Sequence, residues 1–298
     1  MVMIKLVNCP VCDASSISSF IKTKAQMHST KEMFNFDQCS NCSLVFLNPR
    51  LPLDQLKKYY TSYYLPYRGA KAWGKFEKLV EGSQKKLDAK RVSRINNIQK
   101  LSNTSLILDI GCGNPSFLKA CQKSLKCNTM GIDFSDEGWK DQPASFEGIN
   151  LQVAEINELK NDLQPDIITM WHYLEHDYTP SENLSYLKSI SKPSTSLVIE
   201  IPNFDSSGRR KYGKNWAGWH TPRHLSLFSP NNIELLLDKT GWKVEEVLTY
   251  GTMNPYLLSW MSKMEEREIQ WDKNMEEEFI QFMIGMIKFF PEKWTEKK

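Results

Sequence analysis

From about residue 101 the chain alternates short apolar runs with longer stretches in which apolar residues return every three or four positions. The runs "SLILDIG", "TMGIDF", "LQVAEI", "DIITMW", "SLVIEIPN" and "KVEEVLTY" are of strand length and carry many β-branched residues. The intervening "PSFLKACQKSL", "ENLSYLKSIS" and "NNIELLLDKTG" have helical periodicity. Strands joined by helical crossovers run parallel, so the pattern predicts an α/β, doubly wound sheet over residues 101–250. Past Tyr250 the spacing is helical with no convincing final strand, and 251–298 reads as a helical C-terminal extension. Upstream, residues 76–101 form a charged helix leading into the sheet, behind an aromatic-rich helical stretch, "LPLDQLKKYYTSYYLPY". The organisation expected is a small module over 1–50, a helical, tyrosine-rich linker over 51–100, the sheet domain and the extension.

Composition narrows the function classes. Of 298 residues, 41% are hydrophobic, ordinary for a globular chain with a sizeable core. A formal charge of +3 is too mild to announce nucleic acid as a partner. No continuous apolar segment approaches membrane-spanning length and the N-terminal "MVMIKLVNCPVC" lacks the apolar core of a leader, so a cytoplasmic protein is expected. Seven cysteines form an odd set, four of them in two C-x-x-C pairs, which suits metal in a reducing compartment better than disulfides.

Cys9 and Cys12, then Cys39 and Cys42, each make a knuckle that sets two thiolates at one ion, and two knuckles complete a tetrahedral site. A closed four-thiolate shell leaves no position for water, so zinc here would hold the module together and do no chemistry; the alternative is four unligated thiols. Cys112, Cys121 and Cys127 read as ordinary core or near-surface thiols.

The first strand of the sheet domain ends in Asp109-Ile-Gly111-Cys112-Gly113 and runs into a helix. Glycines there let the backbone turn sharply and approach a ligand with no Cβ in the way. The second strand ends in Asp133, whose carboxylate can accept both hydroxyls of a ribose. The bland alternative is a glycine turn capping an ordinary strand, with Asp133 as a helix cap. His172, Glu175 and His176 spell H-x-x-E-H, the signature of an inverted zinc-protease helix. A protease needs a long helix there, whereas "DIITMW" precedes the motif as a strand and Pro180 limits any helix from His172 to about two turns.

These motifs resemble the class I S-adenosylmethionine-dependent methyltransferases over residues 101–250, which implies a Rossmann-like fold. The resemblance implies that the segment with Asp109, Gly111, Cys112 and Gly113 wraps the methionine and ribose of the donor. It further implies that Asp133, followed by Phe134, holds the ribose, that Glu155 and Ile156 flank the adenine, and that Trp171 and His172 line the methyl-donor pocket. A nicotinamide enzyme would want a third glycine near 116, which is Ser116. The departure from the methyltransferase pattern is Pro115, where a third glycine often stands. The chain is similar to a narrower group over 1–250: bacterial methyltransferases with an N-terminal zinc ribbon. The matching motifs are Asn48-Pro49-Arg50, Tyr59 to Tyr64, Leu174-Glu175-His176, Ile201-Pro202-Asn203 and the segment from Pro222 through His224 to Phe228. In this resemblance "HYLEH" is the motif after the fourth strand, and zinc belongs at the cysteines. Members of the group and its relatives act on sugars, polysaccharide precursors, lipids or secondary metabolites.

The segment from Pro202 to Phe228 is long for a connection and reads as an acceptor lid. Arg209, Arg210 and Arg223 interleave there with Tyr212, Trp216, Trp219 and His220, a composition for an anionic group beside a flat one, or for a solvated loop anchored by its aromatics. For the base that removes the acceptor proton, His176 and His224 rank first, then His172 and Tyr64. The expected reaction is methyl transfer to an oxygen or carbon of a small, anionic acceptor. An RNA methyltransferase and a non-catalytic donor-binding protein are the rival readings. In the extension, Phe279, Phe282, Met283, Met286, Ile287, Phe289 and Phe290 make an apolar cluster, for packing on the body, self-association or peripheral membrane contact.

Overall fold

The computed structural model describes residues 3–295, with the side chains of Tyr67 and of 290–295 outside the description. Strands β1 (Ile17–Lys24), β2 (Met33–Cys39) and β3 (Val45–Leu47) form an antiparallel sheet in the N-terminal module. Two short helices, α1 (Leu53–Leu56) and α2 (Leu65–Arg68), cross the tyrosine-rich linker, and the long α3 (Glu77–Ile98) leads to the main domain. There β4 (Leu106–Ile110), α4 (Ser116–Leu125), β5 (Asn128–Asp133), β6 (Asn150–Val153), β7 (Ile167–Trp171), α5 (Pro180–Ser189) and β8 (Ser196–Glu200) follow. All five strands are parallel, in the order β6-β5-β4-β7-β8. The order reverses between β4 and β7, and ligands of such sheets bind at the carboxyl ends beside that switch.

Central strands are buried on both faces, which is why they read as unbroken apolar runs. Ile107 and Ile167 point to a layer with Val92, Ile95, Phe117 and Leu118 of α3 and α4. Their neighbours Leu108, Ile168 and Met170 point the other way, to Leu184 and Leu187 of α5 and Leu236 of α7 (Pro230–Lys239). Cys112, Cys121 and Cys127 are buried, and Cys121 and Cys127 lie in the first of these layers. Helices α5 and α7 start on proline, whose missing N–H costs nothing in a first turn. The Ser229 hydroxyl also accepts the Asn232 amide at the head of α7.

Two elements differ from the sequence expectation. "KVEEVLTY" forms no strand: it lies largely in solvent, with Val247 and Tyr250 exposed, because charges at Lys243, Glu245 and Glu246 leave it no apolar face to pair against β8. The segment read as lid, in contrast, contributes a strand. After a short helix α6 (Ser207–Tyr212), the chain returns through β9 (Ser226–Leu227), which pairs with β3 and becomes the fourth strand of the N-terminal sheet. Leu47 N–H also donates to Leu225 O at 2.9 Å.

The extension forms α8 (Pro255–Glu266) and α9 (Glu276–Thr295). Phe279 stacks on Phe76 at 3.9 Å and packs on Trp73, while Phe282 and Phe289 pack on Tyr256. Met283 and Met286 join the same core. Ile287 stays exposed, with Ile280 and Ile284; the Phe290 side chain is outside the description. No helix among the described residues is long and apolar enough to cross a membrane.

Candidate active site

At the carboxyl edge, Gly111 (φ 69°) and Gly113 (φ 47°) take the left-handed conformation that side chains resist. Gly111 N–H donates to Ile132 O at 2.8 Å, and Gly113 N–H donates to Asp133 Oδ2 at 2.9 Å. The glycine turn is thereby clamped to β5. The Tyr173 ring lies against Gly111, whereas a Cβ at Gly113 would meet nothing within 4 Å, so a cradle opens above it. Asp133 also accepts Ser135 N–H, and burial holds its carboxyl above the usual range. Below the turn, Asp109 is fully enclosed; burial pushes it up to about 7 against the opposing Thr169 hydrogen bond of 2.6 Å and the charge of Arg91. The Arg91 guanidinium stacks over Trp171 at 4.5 Å, and the Trp171 indole N–H has no hydrogen-bond partner among the described residues. Phe134 meets Tyr60 edge-on at 5.7 Å. Glu155 is exposed and caps the 156–158 turn together with Glu158, while Ile156 is buried.

Beside this turn the fold gathers four of the five histidines. His172 (φ 58°) and His220 (φ 43°) are both left-handed, a backbone cost that concentrates at functional sites. His172 Nε2 meets Glu200 at the end of β8 at 3.2 Å, and its Nδ1 is 3.6 Å from Glu175. Burial would lower its pKa, but Glu175 and Glu200 override that and hold it up at about 9, so His172 is charged at neutral pH. His176 Nδ1 donates to Arg223 O at 3.0 Å and lies 3.2 Å from Tyr60 Oη. His224 Nδ1 donates to Gly218 O at 2.8 Å. Burial depresses His176, His220 and His224, the last to about 3, and all three are neutral imidazoles. Tyr64 Oη is 2.8 Å from His220 Nε2; burial raises it to about 12, which keeps its proton in place.

The structure treats the basic-aromatic segment in two ways. Trp216, Trp219 and Arg223 are at most 1% exposed and belong to the core. Arg223 gives its guanidinium to Tyr59 O and Gln26 O, and stacks on Tyr64. Arg209 is tied to Phe204, by its carbonyl and across its ring, and Tyr212 is half-buried at the end of α6. Arg210, Lys211 and Lys214 remain at the surface. A methyl at Gly218 would overlap the buried Trp216 ring. Gly218→Ala should therefore cost about 1–3 kcal/mol in denaturant unfolding; an unchanged midpoint would mean that this loop has slack to give.

Glu200 and Arg91 take places in the site that the sequence motifs did not single out, and Tyr60 joins it from within the Tyr59 to Tyr64 motif. A signal for Arg91 exists: Asp88, Arg91, Val92 and Ile95 are the buried residues of α3, spaced as one helical face. Glu200 is marked by its position as an acid at the carboxyl end of the apolar run "SLVIE".

In the N-terminal module the sulfurs of Cys9, Cys12, Cys39 and Cys42 lie within 4.8 Å of one another, with Cys9 and Cys42 at 3.6 Å and Cys12 and Cys39 at 3.5 Å. The two knuckles fold alike. Asp13 N–H bonds to Cys9 O and Ser43 N–H to Cys39 O, and Asp13 and Ser43 share φ 62°. Four sulfurs about 2.3 Å from a zinc ion would stand about 3.8 Å apart, so the donor set and spacing fit that metal.

The sheet order and the glycine turn with its acidic partner define a Rossmann-like α/β protein with its candidate site at the carboxyl edge of the sheet. A family model described as a methyltransferase domain matches residues 84–247. The chain belongs to that family, the class I S-adenosylmethionine-dependent methyltransferases. Among solved structures it is similar to a cyclopropane synthase of Mycobacterium tuberculosis, at 15% identity and TM-score 0.49, covering 68% of this chain and 79% of that one. It is also similar to a SAM-dependent methyltransferase of Archaeoglobus fulgidus, at 23% identity and TM-score 0.42, covering 61% and 86%. Human N-acetylserotonin methyltransferase in complex with SAM gives 17% identity and TM-score 0.45, covering 64% and 54%. No match was found among curated proteins.

Proposed function

We propose that the chain transfers the methyl group of S-adenosylmethionine to an oxygen or carbon of a small acceptor, with the acceptor's proton given up at the histidine cluster. The observation that carries this reading is the join between the two sites. Tyr60 touches Phe134, next to the ribose carboxylate Asp133, and hydrogen-bonds His176. Bound S-adenosylmethionine supplies a methyl group on a sulfonium. The chain's own part is to hold and align: Asp133 for the ribose, the cradle at Gly113 and the Trp171 indole N–H for the amino-acid end. His176 and His224, neutral and fixed through Nδ1, keep an acceptor-facing lone pair on Nε2. The charged His172, paired with Glu200, serves the donor pocket, and Tyr64 positions His220. Arg210, Lys211 and Lys214 suit an anionic end of the acceptor. Zinc at the four cysteines would be structural, in a shell closed to water.

The experiment is calorimetric. Asp133→Ala should weaken S-adenosylhomocysteine binding by about 1.5–3 kcal/mol, the worth of hydrogen bonds to a charged carboxylate. Equal affinity in the variant would place the ribose elsewhere.

A further inference from the structure

Methyl transfer alone leaves Glu175 unexplained. It is 1% exposed, and neither carboxylate oxygen has a hydrogen-bond partner among the described residues. A buried carboxylate without donors is among the costliest groups a fold can hold. The nearby cations are shared with other groups. His172 is closer to Glu200, at 3.2 Å, than to Glu175, at 3.6 Å. Arg223 donates from its two Nη atoms to Tyr59 O and Gln26 O and interacts electrostatically with Glu265, while its Nε has no hydrogen-bond partner among the described residues. Glu175 thus keeps its charge through the ion pair with His172 and the imidazoles around it, with no hydrogen-bond donor on either oxygen among the described residues.

Around it stand two imidazoles oriented by their own hydrogen bonds. Carbonyl oxygens only accept, so the contacts of His176 Nδ1 to Arg223 O and His224 Nδ1 to Gly218 O fix both protons on Nδ1 and both lone pairs on Nε2. An imidazole that donates to a backbone carbonyl on one side and offers a lone pair on the other is arranged as metal ligands are. His224 Nε2 is 3.8 Å from Glu175 Oε1, and one nitrogen of each ring and one carboxylate oxygen lie within 4.8 Å of one another. Two ligands each about 2.1 Å from one tetrahedral ion stand about 3.4 Å apart, so His224 and Glu175 would draw together by a few tenths of an ångström on binding one.

We propose that Glu175, His176 and His224 bind a divalent first-row transition ion, zinc in the first instance, at a centre separate from the four cysteines. Two imidazoles and one carboxylate select such an ion over magnesium or calcium, which prefer all-oxygen shells. Three protein ligands leave one position open. The acceptor's oxygen fits there, its proton acidified by the ion and passed to solvent while His176 and His224 serve as ligands in place of bases, a step that rests on the methyl-transfer reading. The H-x-x-E-H letters therefore have a use unlike a protease's: His172 turns to Glu200, and the second imidazole comes from the distant 216–224 loop.

Full-length, metal-depleted protein titrated with cobalt(II) tests the assignment. Two equivalents should bind, one with the sulfur charge-transfer absorption of the cysteine site and one with ligand-field bands alone. Glu175→Gln and His224→Gln should each weaken the second equivalent beyond the roughly 10–100-fold that changes outside a ligand shell cause, and leave the sulfur band intact. A single, wholly sulfur-bound equivalent in the wild type overturns the proposal, as does a second equivalent that survives both substitutions. The wild-type stoichiometry decides even if a variant fails to fold. Calorimetry with S-adenosylhomocysteine on the same samples reads the methyl-transfer proposal separately, since donor binding needs none of the three ligands.

Discussion

His224→Gln should lower turnover by about 10²–10⁴-fold while S-adenosylhomocysteine binds within a few-fold of the wild type. The split follows from where the residue sits. His224 is enclosed, its Nδ1 is committed to Gly218 O, and its Nε2 faces Glu175 on the acceptor side of the site. Glutamine keeps much of the volume and can still donate to the carbonyl, but it offers no comparable lone pair to a proton or an ion. Ionisation of the acceptor happens only on the way to the transition state, so the loss belongs in the rate and not in donor affinity. Single-turnover kinetics with an acceptor, beside calorimetry with the donor product, makes the measurement. A near-wild-type rate would remove the cluster from the chemistry, and a parallel fall in donor affinity would recast His224 as a packing residue.

The second large effect is expected in the N-terminal module. Cys39→Ser should release the zinc and leave residues 1–50 open to limited proteolysis, with the parallel sheet still folded and still binding donor. Cys39 is fully buried at the end of β2, and its backbone N–H and carbonyl hold the knuckle to Leu44 and Ser43. Apparent zinc-binding free energies of about 10–16 kcal/mol in small domains are folding free energies, so losing one ligand of four forfeits more than so small a module has in reserve. Elemental analysis and protease mapping together check this. Metal-free wild-type protein with the same resistance to proteolysis would show that the thiols need no ion.

What could be read from the chain was what neighbouring residues decide among themselves. The run "LILDIG" declares a buried strand, and Gly111 and Gly113 declare a turn that other residues enter only with strain. The paired cysteines announce by spacing alone that four sulfurs will meet. The histidine cluster was legible only as fragments. His176 and His224 each belong to a motif, but their meeting depends on a loop returning to the N-terminal sheet and on Tyr60 and Tyr64 reaching in from the linker. Trp216 and Trp219 suggested a platform for substrate because composition does not separate an aromatic that binds from one that anchors, and burial does. Arg91 was passed over because a charge on a helix ordinarily points to water, although its spacing with Val92 and Ile95 sets it on the buried face of α3.

The pairing of β9 with β3 has a consequence for module exchange. The loop carrying His220 and His224 ends in a strand borrowed by the cysteine module, so these two histidines are registered against the N-terminal sheet and not against the parallel sheet that carries the glycine turn. Exchanging residues 1–50 for those of a relative should therefore disturb the histidine cluster before it disturbs the glycine turn, which is clamped to β5.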